Sequence, residues 1–364
     1  MGRIVVAMSG GVDSSVAAAL LADEARSGGD EVVGVWMRLS PDEGEGYELR
    51  RSCCSPDAAD DARRVAQLAG IPFFVLNLER EFGSQVIDAF VDAYLDGATP
   101  NPCQACNQHI KFDVLLSRGL AAYGADAVAT GHYARIQTDA AGRHHLLRAV
   151  DSAKDQTYFL WTLSQAQLAA TRFPLGELTK PRVREIAAEW VLPTADKPES
   201  QEICFVPLGD YRELLAERRG YAGDPGPIVD GIGTRIGTHS GYAHYTVGQR
   251  HGLGVAVGEP VYVREVIPAT NTVVVGRREE IAQRTFTASG AHFVAGAPPA
   301  ERFEAEVRIR HRGDAVPAEV TLIGTDRFAV EAAEPVWAPA PGQAAVLYAG
   351  DEVLGGGRIA PRGA

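Results

Sequence analysis

Five cysteines in a chain of 364 residues are too few for a disulfide scaffold. In a reducing compartment such residues are free, metal-bound or catalytic. No apolar run approaches the roughly 18 residues of a membrane span, and the IVVA stretch near the N-terminus is too short for the apolar region of a signal peptide. A cytoplasmic location without a membrane partner is therefore expected. Positive charge is in deficit as well: the net charge is −12, which argues against a sequence-independent nucleic-acid coat but leaves room for a local basic surface. Lysine is scarcest of all. Of 35 basic residues only Lys111, Lys154, Lys180 and Lys197 are lysine, so these four positions are candidates for sites that need a compact ammonium rather than a planar fork. What is present is a globular composition, 46% hydrophobic and 23% charged, in a chain long enough for two or three domains.

The first half alternates. RIVVAM (Arg3 to Met8) is a β-branched run ending in a glycine turn, after which SSVAAALLADEA from Ser14 has the composition of a helix. EVVGVWM from Glu31 reads as a second buried strand. SPDAADDARRVAQLAG from Ser55 carries a capping serine, a proline at its start and a closing glycine, which predicts a helix. A third strand follows from Ile71, a helix from Phe82 to Gly97, and a further strand around Ala127 to Thr130. Strands alternating with helices imply a doubly wound parallel α/β sheet with ligands at its C-terminal strand ends. Beyond about residue 205 the chain becomes glycine-rich with short alternating stretches, and from about Thr287 a series of short strands joined by turns predicts a small β-barrel.

Two stretches carry chemistry. Ser9-Gly10-Gly11-Val12-Asp13-Ser14-Ser15 combines glycines that let backbone approach an anion with hydroxyls at a helix start, where the dipole favours negative charge. It lacks the Gly-Lys-Ser/Thr ending of the Walker loop and the spacing of the dinucleotide fingerprint. ATPNPCQACNQHIKF (Ala98 to Phe112) sets Cys103 and Cys106 behind two prolines, compatible with half a metal site, a redox pair or a nucleophile on a stiffened loop. A zinc site that adds Cys53 and Cys54 is disfavoured because adjacent cysteines lack ligand spacing; those two are read as structural.

SGGVDSS resembles the loop of the ATP pyrophosphatases of the adenine-nucleotide alpha-hydrolase-like fold. AMSGGVDSSVAAAL, TPNPCQACNQHIKF, ATGHYAR, KDQTYFLWTL, FPLGELTKPRVREIA, SQEICF and TVGQRHGLG, in that order, are similar to the tRNA-specific 2-thiouridylases, which thiolate the wobble uridine of certain tRNAs. The resemblance implies a catalytic domain, a small central domain and a C-terminal β-barrel, here placed at 1–205, 206–286 and 287–364. It implies that Ala7, Met8, Ser9, Gly10, Gly11, Val12, Asp13 and Ser14 hold the ATP phosphates, with Mg²⁺ met by Asp13, and that Met37 and Gly131 line the adenosine. Cys106 is the implied nucleophile and Cys204 the implied persulfide carrier, a pair able to form a disulfide that must be reduced before the next turnover. Asn101, Pro102 and Cys103 are expected beside the flipped base. The tRNA contacts it assigns are His132, Lys154, Asp155, Gln156, Arg308, Ile309, Arg310 and Gln343. The partners implied are tRNA and a persulfide sulfur donor, either a cysteine desulfurase or a sulfur carrier.

From the residues alone, Glu306 to Arg312 read as a strand would put Arg308, Arg310 and Arg312 on one face and Val307 and Ile309 on the other, a row suited to phosphates. Sulfur must arrive as a persulfide, since a thiol cannot give up its sulfur without breaking a carbon bond. Where the family pattern commonly carries Asp, this chain has Cys103. Cys103, Cys106 and Cys204 could therefore hold three corners of an iron-sulfur cluster, an alternative to the persulfide route. Two other readings stay open: a small-molecule adenylating synthetase, which would not need Cys106 and Cys204, and a non-catalytic CxxC redox or metal module, which leaves the nucleotide loop unexplained.

Overall fold

The computed structural model of the chain describes residues 2–40, 55–198, 203–206 and 210–363. Its first unit is built on β1 (Arg3–Ala7), β2 (Glu31–Arg38), β3 (Phe73–Asn77), β4 (Ala127–Ala129) and β7 (Thr171–Arg172), all parallel in the order β3-β2-β1-β4-β7. Alternate residues of β1 face opposite ways. Val6, and Met8 just beyond the strand, join a core with Ala18, Leu21, Ala62 and Val65, while Val5 and Ala7 join one with Val33, Leu115 and Val128. A strand buried on both faces is what its unbroken apolar run encodes. The chain winds from β1 outward to β3 and then returns to the other side of β1 as β4, so the topological switch point lies between β1 and β4.

The expected helices form, with shifted ends in two of three. α1 spans Val12–Gly28, starting two residues before Ser14, and α2 spans Pro56–Ala69 as expected, with Ser55 accepting from Ala58 N and Gly70 closing the helix at φ +69°. The helix expected from Phe82 to Gly97 begins at Glu79, winds as a π-helix over Gly83–Asp88 and ends at Leu95. β3 is the sheet edge among the described strands, and its Phe74 and Val75 are 46% and 48% exposed.

The central unit is a sheet of β8 (Gly226–Val229), β9 (Arg235–His239), β10 (Tyr262–Ile267) and β11 (Thr272–Gly276) around Ile228, Val263, Val273 and Val275. The C-terminal unit is a closed barrel. Its strands are β12 (Ala282–Phe293), β13 (Arg302–Arg308), β14 (Val316–Ile323), β15 (Arg327–Trp337), β16 (Ala344–Ala349) and β17 (Glu352–Ile359); β12 pairs with both β15 and β17, which joins the ends. Closure removes exposed edges and gives each strand a core-facing row. β12 starts five residues earlier than the turn pattern suggested, at Ala282 instead of Thr287.

The barrel also borrows from the first unit. The hairpin β5 (Arg135–Thr138) and β6 (His144–Leu147) extends its sheet beside β17. Tyr158, Leu160, Trp161 and Leu163 share one buried cluster with Val294, Val346, Tyr348 and Val353 of the barrel. Among the described residues no helix is long and apolar enough to cross a membrane.

Candidate active site

Between β1 and α1 the chain turns through Met8 to Gly11. Gly10 sits at φ +70°, and a Cβ there would come within 2.1 Å of the Ala58 carbonyl oxygen, so the turn accepts glycine alone. Gly11 is the N-cap of α1 and no side chain caps the helix. The hydroxyls fold inward instead: Ser14 Oγ accepts from Ser9 N at 3.1 Å and donates to Gly11 O at 3.1 Å, and Ser15 Oγ donates to Gly11 O at 2.8 Å. First-turn amides of a long helix thus stand uncapped by side chains at the C-terminal end of a central strand, the arrangement that binds phosphate. Gly131 lies across the switch point after β4. A Cβ on it would meet Ser14 N and the Asp13 carbonyl carbon at 2.8 Å, so a larger residue would fill the space over the loop.

Asp13 is held on both oxygens. Lys180 Nζ donates to Oδ1 at 2.7 Å and Oδ2 at 2.8 Å, and the Tyr133 hydroxyl donates to Oδ1 at 2.7 Å. Lys180 is buried, its backbone amide bound to Asp151. Lys197 reaches the same loop from another direction, donating to Gly10 O at 2.9 Å and Asp61 Oδ2 at 2.7 Å. Neither lysine nor Tyr133 was assigned a role by the motifs; the scarcity of lysine was the signal for the first two, and Tyr133 carried none.

Lys111 also reaches this end of the sheet. Its ammonium lies 3.5 Å from His132 Nε2, while His132 Nδ1 lies 2.7 Å from Thr130 Oγ1. An ammonium can only donate, so Nε2 accepts and the Nδ1–H donates to the threonine. Burial, reinforced by the Lys111 charge, holds the His132 pKa well below the usual histidine value.

The cysteine stretch is a helix and not a stiffened loop. Asn101 is the N-cap, accepting from Gln104 N at 3.2 Å, and Pro102 occupies the first turn of an α-helical segment, Pro102–Ala105. The backbone then continues as a π-helix over Cys106–Leu115 before returning to α over Leu116–Ala122. Cys103 is exposed and Cys106 half-buried. Cys204, distant in sequence, is half-buried too and packs with Cys106 against one apolar cluster that includes Phe82, Phe90 and Ile110. Met37, at the end of β2 opposite Leu76, touches that same cluster. On the helix, Gln104 Nε2 and Asn107 Oδ1 are buried without a hydrogen-bond partner, groups that a ligand or an ordered water completes.

The tRNA candidates fall along the seam between the first unit and the barrel. Asp155 accepts from Arg308 Nη1 at 3.2 Å, with side-chain exposures of 2% and 15%. Gln156 Oε1 accepts from Tyr133 N, and Tyr158 donates to Ile309 O at 2.9 Å. Lys154 is half-buried at the start of this segment. The arginine row differs from its expected form. β13 ends at Arg308, Ile309 is buried, and Arg310 leaves the strand line to stack its guanidinium 4.8 Å over the Trp337 ring and donate to Ala338 O. Gln343 donates to Thr99 O at 2.8 Å. Cys53 and Cys54 lie outside the described residues, as do 199–202 of the segment that leads to Cys204. Among the described residues no group of three or more His, Cys, Asp or Glu side chains is arranged to hold a metal.

Comparison with known proteins agrees with this geometry. A family model described as tRNA methyl transferase HUP domain matches residues 2–208, the tRNA methyl transferase PRC-barrel domain matches 212–277, and the aminomethyltransferase beta-barrel domain matches 283–359. The tRNA-specific 2-thiouridylase MnmA of Chloroflexus aggregans is 52% identical over 361 residues, 99% of this chain and 99% of its own. The chain belongs to the tRNA-specific 2-thiouridylase family. Relatives of the same name from Carboxydothermus hydrogenoformans and Geobacter metallireducens are each 51% identical, covering 99% and 98% of this chain and 98% and 96% of theirs. Within that family the loop after β1, the thiols of Cys106 and Cys204, and the seam to the barrel are the features whose chemistry has to be explained.

Proposed function

We infer that this chain is a tRNA-uridine 2-sulfurtransferase that uses ATP to adenylate the C2 carbonyl oxygen of the wobble uridine and replaces that oxygen with persulfide sulfur. One observation carries the reading: Cys106 and Cys204, far apart in sequence, pack on a single cluster that also receives Met37 from the C-terminal end of β2.

The chemistry follows from what a uracil carbonyl lacks. Its oxygen is a poor leaving group until the α-phosphate of ATP is attached to it, with pyrophosphate released; AMP can then depart. The uncapped first turn of α1 and the glycines at 10 and 131 seat the phosphate chain. The Asp13 carboxylate, whose oxygens accept from Lys180 and Tyr133 in the free protein, would together with phosphate oxygens hold Mg²⁺, which prefers few protein ligands and would supply neutralisation of phosphate charge. Asn101, Pro102 and Cys103 form the helix start beside which the extruded base is held, since the carbonyl must leave the stack to reach both ATP and sulfur. The terminal sulfur of a Cys204 persulfide attacks C2 and AMP leaves with the former carbonyl oxygen. The Cys106 thiolate then attacks the Cys204 sulfur, the S–S electron pair goes to the uridine sulfur, and a Cys106–Cys204 disulfide remains for an external dithiol to reduce.

The three units divide the work at about 1–205 for catalysis, 206–286 for the central domain and 287–364 for the barrel. The seam holding His132, Lys154 to Gln156 and Arg308 to Arg310 receives the tRNA arm, in the cytoplasm, and a cysteine desulfurase or sulfur carrier loads the persulfide. No step here runs through an iron-sulfur cluster.

Thiolation by iron-free, anaerobically purified protein, with tRNA, ATP, Mg²⁺ and a persulfide donor, tests this directly. AMP and pyrophosphate should appear by chromatography and 2-thiouridine by nucleoside mass analysis. Cys106→Ser and Cys204→Ser should abolish the thiolated product while Cys103→Asp retains it. ADP as the main product, or a requirement for reconstituted iron with Cys103→Ala as inactive as the other two, would overturn the mechanism.

A further inference from the structure

Several arginines on the seam between the first unit and the barrel are engaged within the protein. Arg148 pairs with Glu306 at 3.3 Å, Arg308 pairs with Asp155, and Arg310 donates to Ala338 O. Arg358 is different. Among the described residues it has no hydrogen-bond, ion-pair or ring partner, and burial lowers its pKa with no carboxylate acting against it. Its side chain is nevertheless exposed. A guanidinium that water reaches but that is partly desolvated lies in a cleft, and its unanswered charge favours an anion there.

Strand register identifies the cleft. On β16, Ala344 and Val346 belong to the buried cluster that includes Phe112, Tyr158 and Trp161 of the first unit, whereas Ala345 and Leu347 point into the barrel. Cross-strand partners share a face, and Arg358 of β17 pairs with Ala344. Gly356, two residues before it, is so near the first unit that a Cβ would lie 3.0 Å from the Trp161 ring. Arg358 therefore faces the first unit on the side of the helix that carries Cys103, Cys106 and Phe112. His109 of that helix registers the charge: burial first, then Arg358, holds its pKa below the usual histidine value, against the opposite pull of Asp113. Close by, Ile359 N donates to Gln343 O at 2.8 Å and Thr99 N donates to Pro341 O at 2.7 Å, so this end of β17 stands beside the chain that enters the helix at Asn101.

We propose that Arg358 binds a tRNA backbone phosphate next to the extruded uridine, reaching it from the barrel side of the cleft through a two-pronged guanidinium contact. The proposal deepens the thiolation reading and rests on it. A base extruded toward the Asn101–Cys103 helix start brings its flanking phosphates to the mouth of this cleft. The planar fork of an arginine matches two phosphate oxygens at once. Such a contact holds ground state and transition state alike, so it acts on affinity and not on the chemical step.

Full-length Arg358→Met and Arg358→Lys proteins, matched to the parent by circular dichroism, carry the test. In filter binding, Arg358→Met should weaken tRNA about tenfold at low salt and flatten the salt slope by about 0.7 to 0.9 of a unit, the share of one phosphate. Arg358→Lys should keep the slope while binding less tightly than the parent. The single-turnover thiolation rate at saturating tRNA should stay within about twofold in both variants. An anticodon stem-loop with a neutral methylphosphonate on one side of the target uridine should bind the parent and Arg358→Met equally. An unchanged slope in Arg358→Met, or a difference that persists with the neutral linkage on either side, would overturn the phosphate contact. A reduced saturating rate with unchanged affinity would overturn it too, making Arg358 a support of the cysteine helix. If the parent protein thiolates no tRNA, the functional reading fails and this proposal with it; if the parent thiolates and Arg358→Met binds tRNA as the parent does, the proposal alone fails.

Discussion

Replacing Arg308 by methionine should destabilise the seam between the barrel and the first unit far more than a surface arginine would. Arg308 Nη1 lies 3.2 Å from Asp155 Oδ2, with only 2% of the aspartate side chain exposed. At an effective dielectric of about 20 the Coulomb energy at that separation is about 5 kcal/mol, much of it offset by desolvation of the two ions. The offset does not protect the single mutant. Methionine leaves the Asp155 carboxylate buried with only Thr157 Oγ1 at 2.9 Å and two weak backbone donors, and it removes the guanidinium from the Tyr348 ring, 5.4 Å away. Stranding one charge of a buried pair costs about 3–5 kcal/mol. Asp155→Asn should cost less, and the double variant should recover about 2 kcal/mol of the summed loss, because no unpaired charge remains. Native-state hydrogen exchange of the β13 and β16 amides in the four proteins gives the cycle, and filter binding of tRNA across salt gives the second readout. A coupling energy below about 0.5 kcal/mol would show that the pair with Asp155 does not hold the seam, while a loss of about one unit of salt slope is expected if the same guanidinium also meets a tRNA phosphate.

Lys180→Met should lower tRNA-dependent pyrophosphate release about a hundredfold, in the range of a lost charge-assisted contact at a phosphate site, with tRNA affinity unchanged. Lys180→Arg should not restore it, because the bulkier guanidinium does not fit the buried space that the compact ammonium fills between Asp13 and the Tyr133 ring; full activity of the arginine variant in a pyrophosphate assay would refute this. His145 supplies a pH test. Its pKa is raised above 6.5, first by the hydrogen bond to Glu352 and then, against partial burial, by Asp139. The stabilisation is therefore complete below about 6.5 and lost as pH rises through the raised value. The melting temperature should drop across that window in the parent and less in His145→Gln, and parallel curves would remove His145 as the cause.

Local signals in the chain were enough for the elements. The β-branched run of β1, the glycine turn, and the Ser55, Pro56 and Gly70 punctuation of α2 encode backbone conformation within a few residues, so the parallel sheet and the glycine turn at its C-terminal end were legible. The alternating stretches after Thr287 likewise encode barrel strands. The Asn101-Pro102 helix start was also written there, yet the following residues wind as a π-helix, whose wider turn removes the 3.6-residue apolar period by which a helix is read.

What tertiary structure alone decided are contacts between groups that share no local pattern. Lys180 meets Asp13 across 167 residues and Arg308 meets Asp155 across 153. A single strand row could not tell that Arg308 turns inward to a buried carboxylate, or that β5 and β6 leave the first unit to extend the barrel sheet beside β17. The same holds for Cys106 and Cys204, each an ordinary half-buried thiol until one apolar cluster gathers both. Backbone preference is a property of neighbouring residues, whereas the partner of a buried charge or thiol is set by which surfaces exclude water together once the chain has closed its long loops.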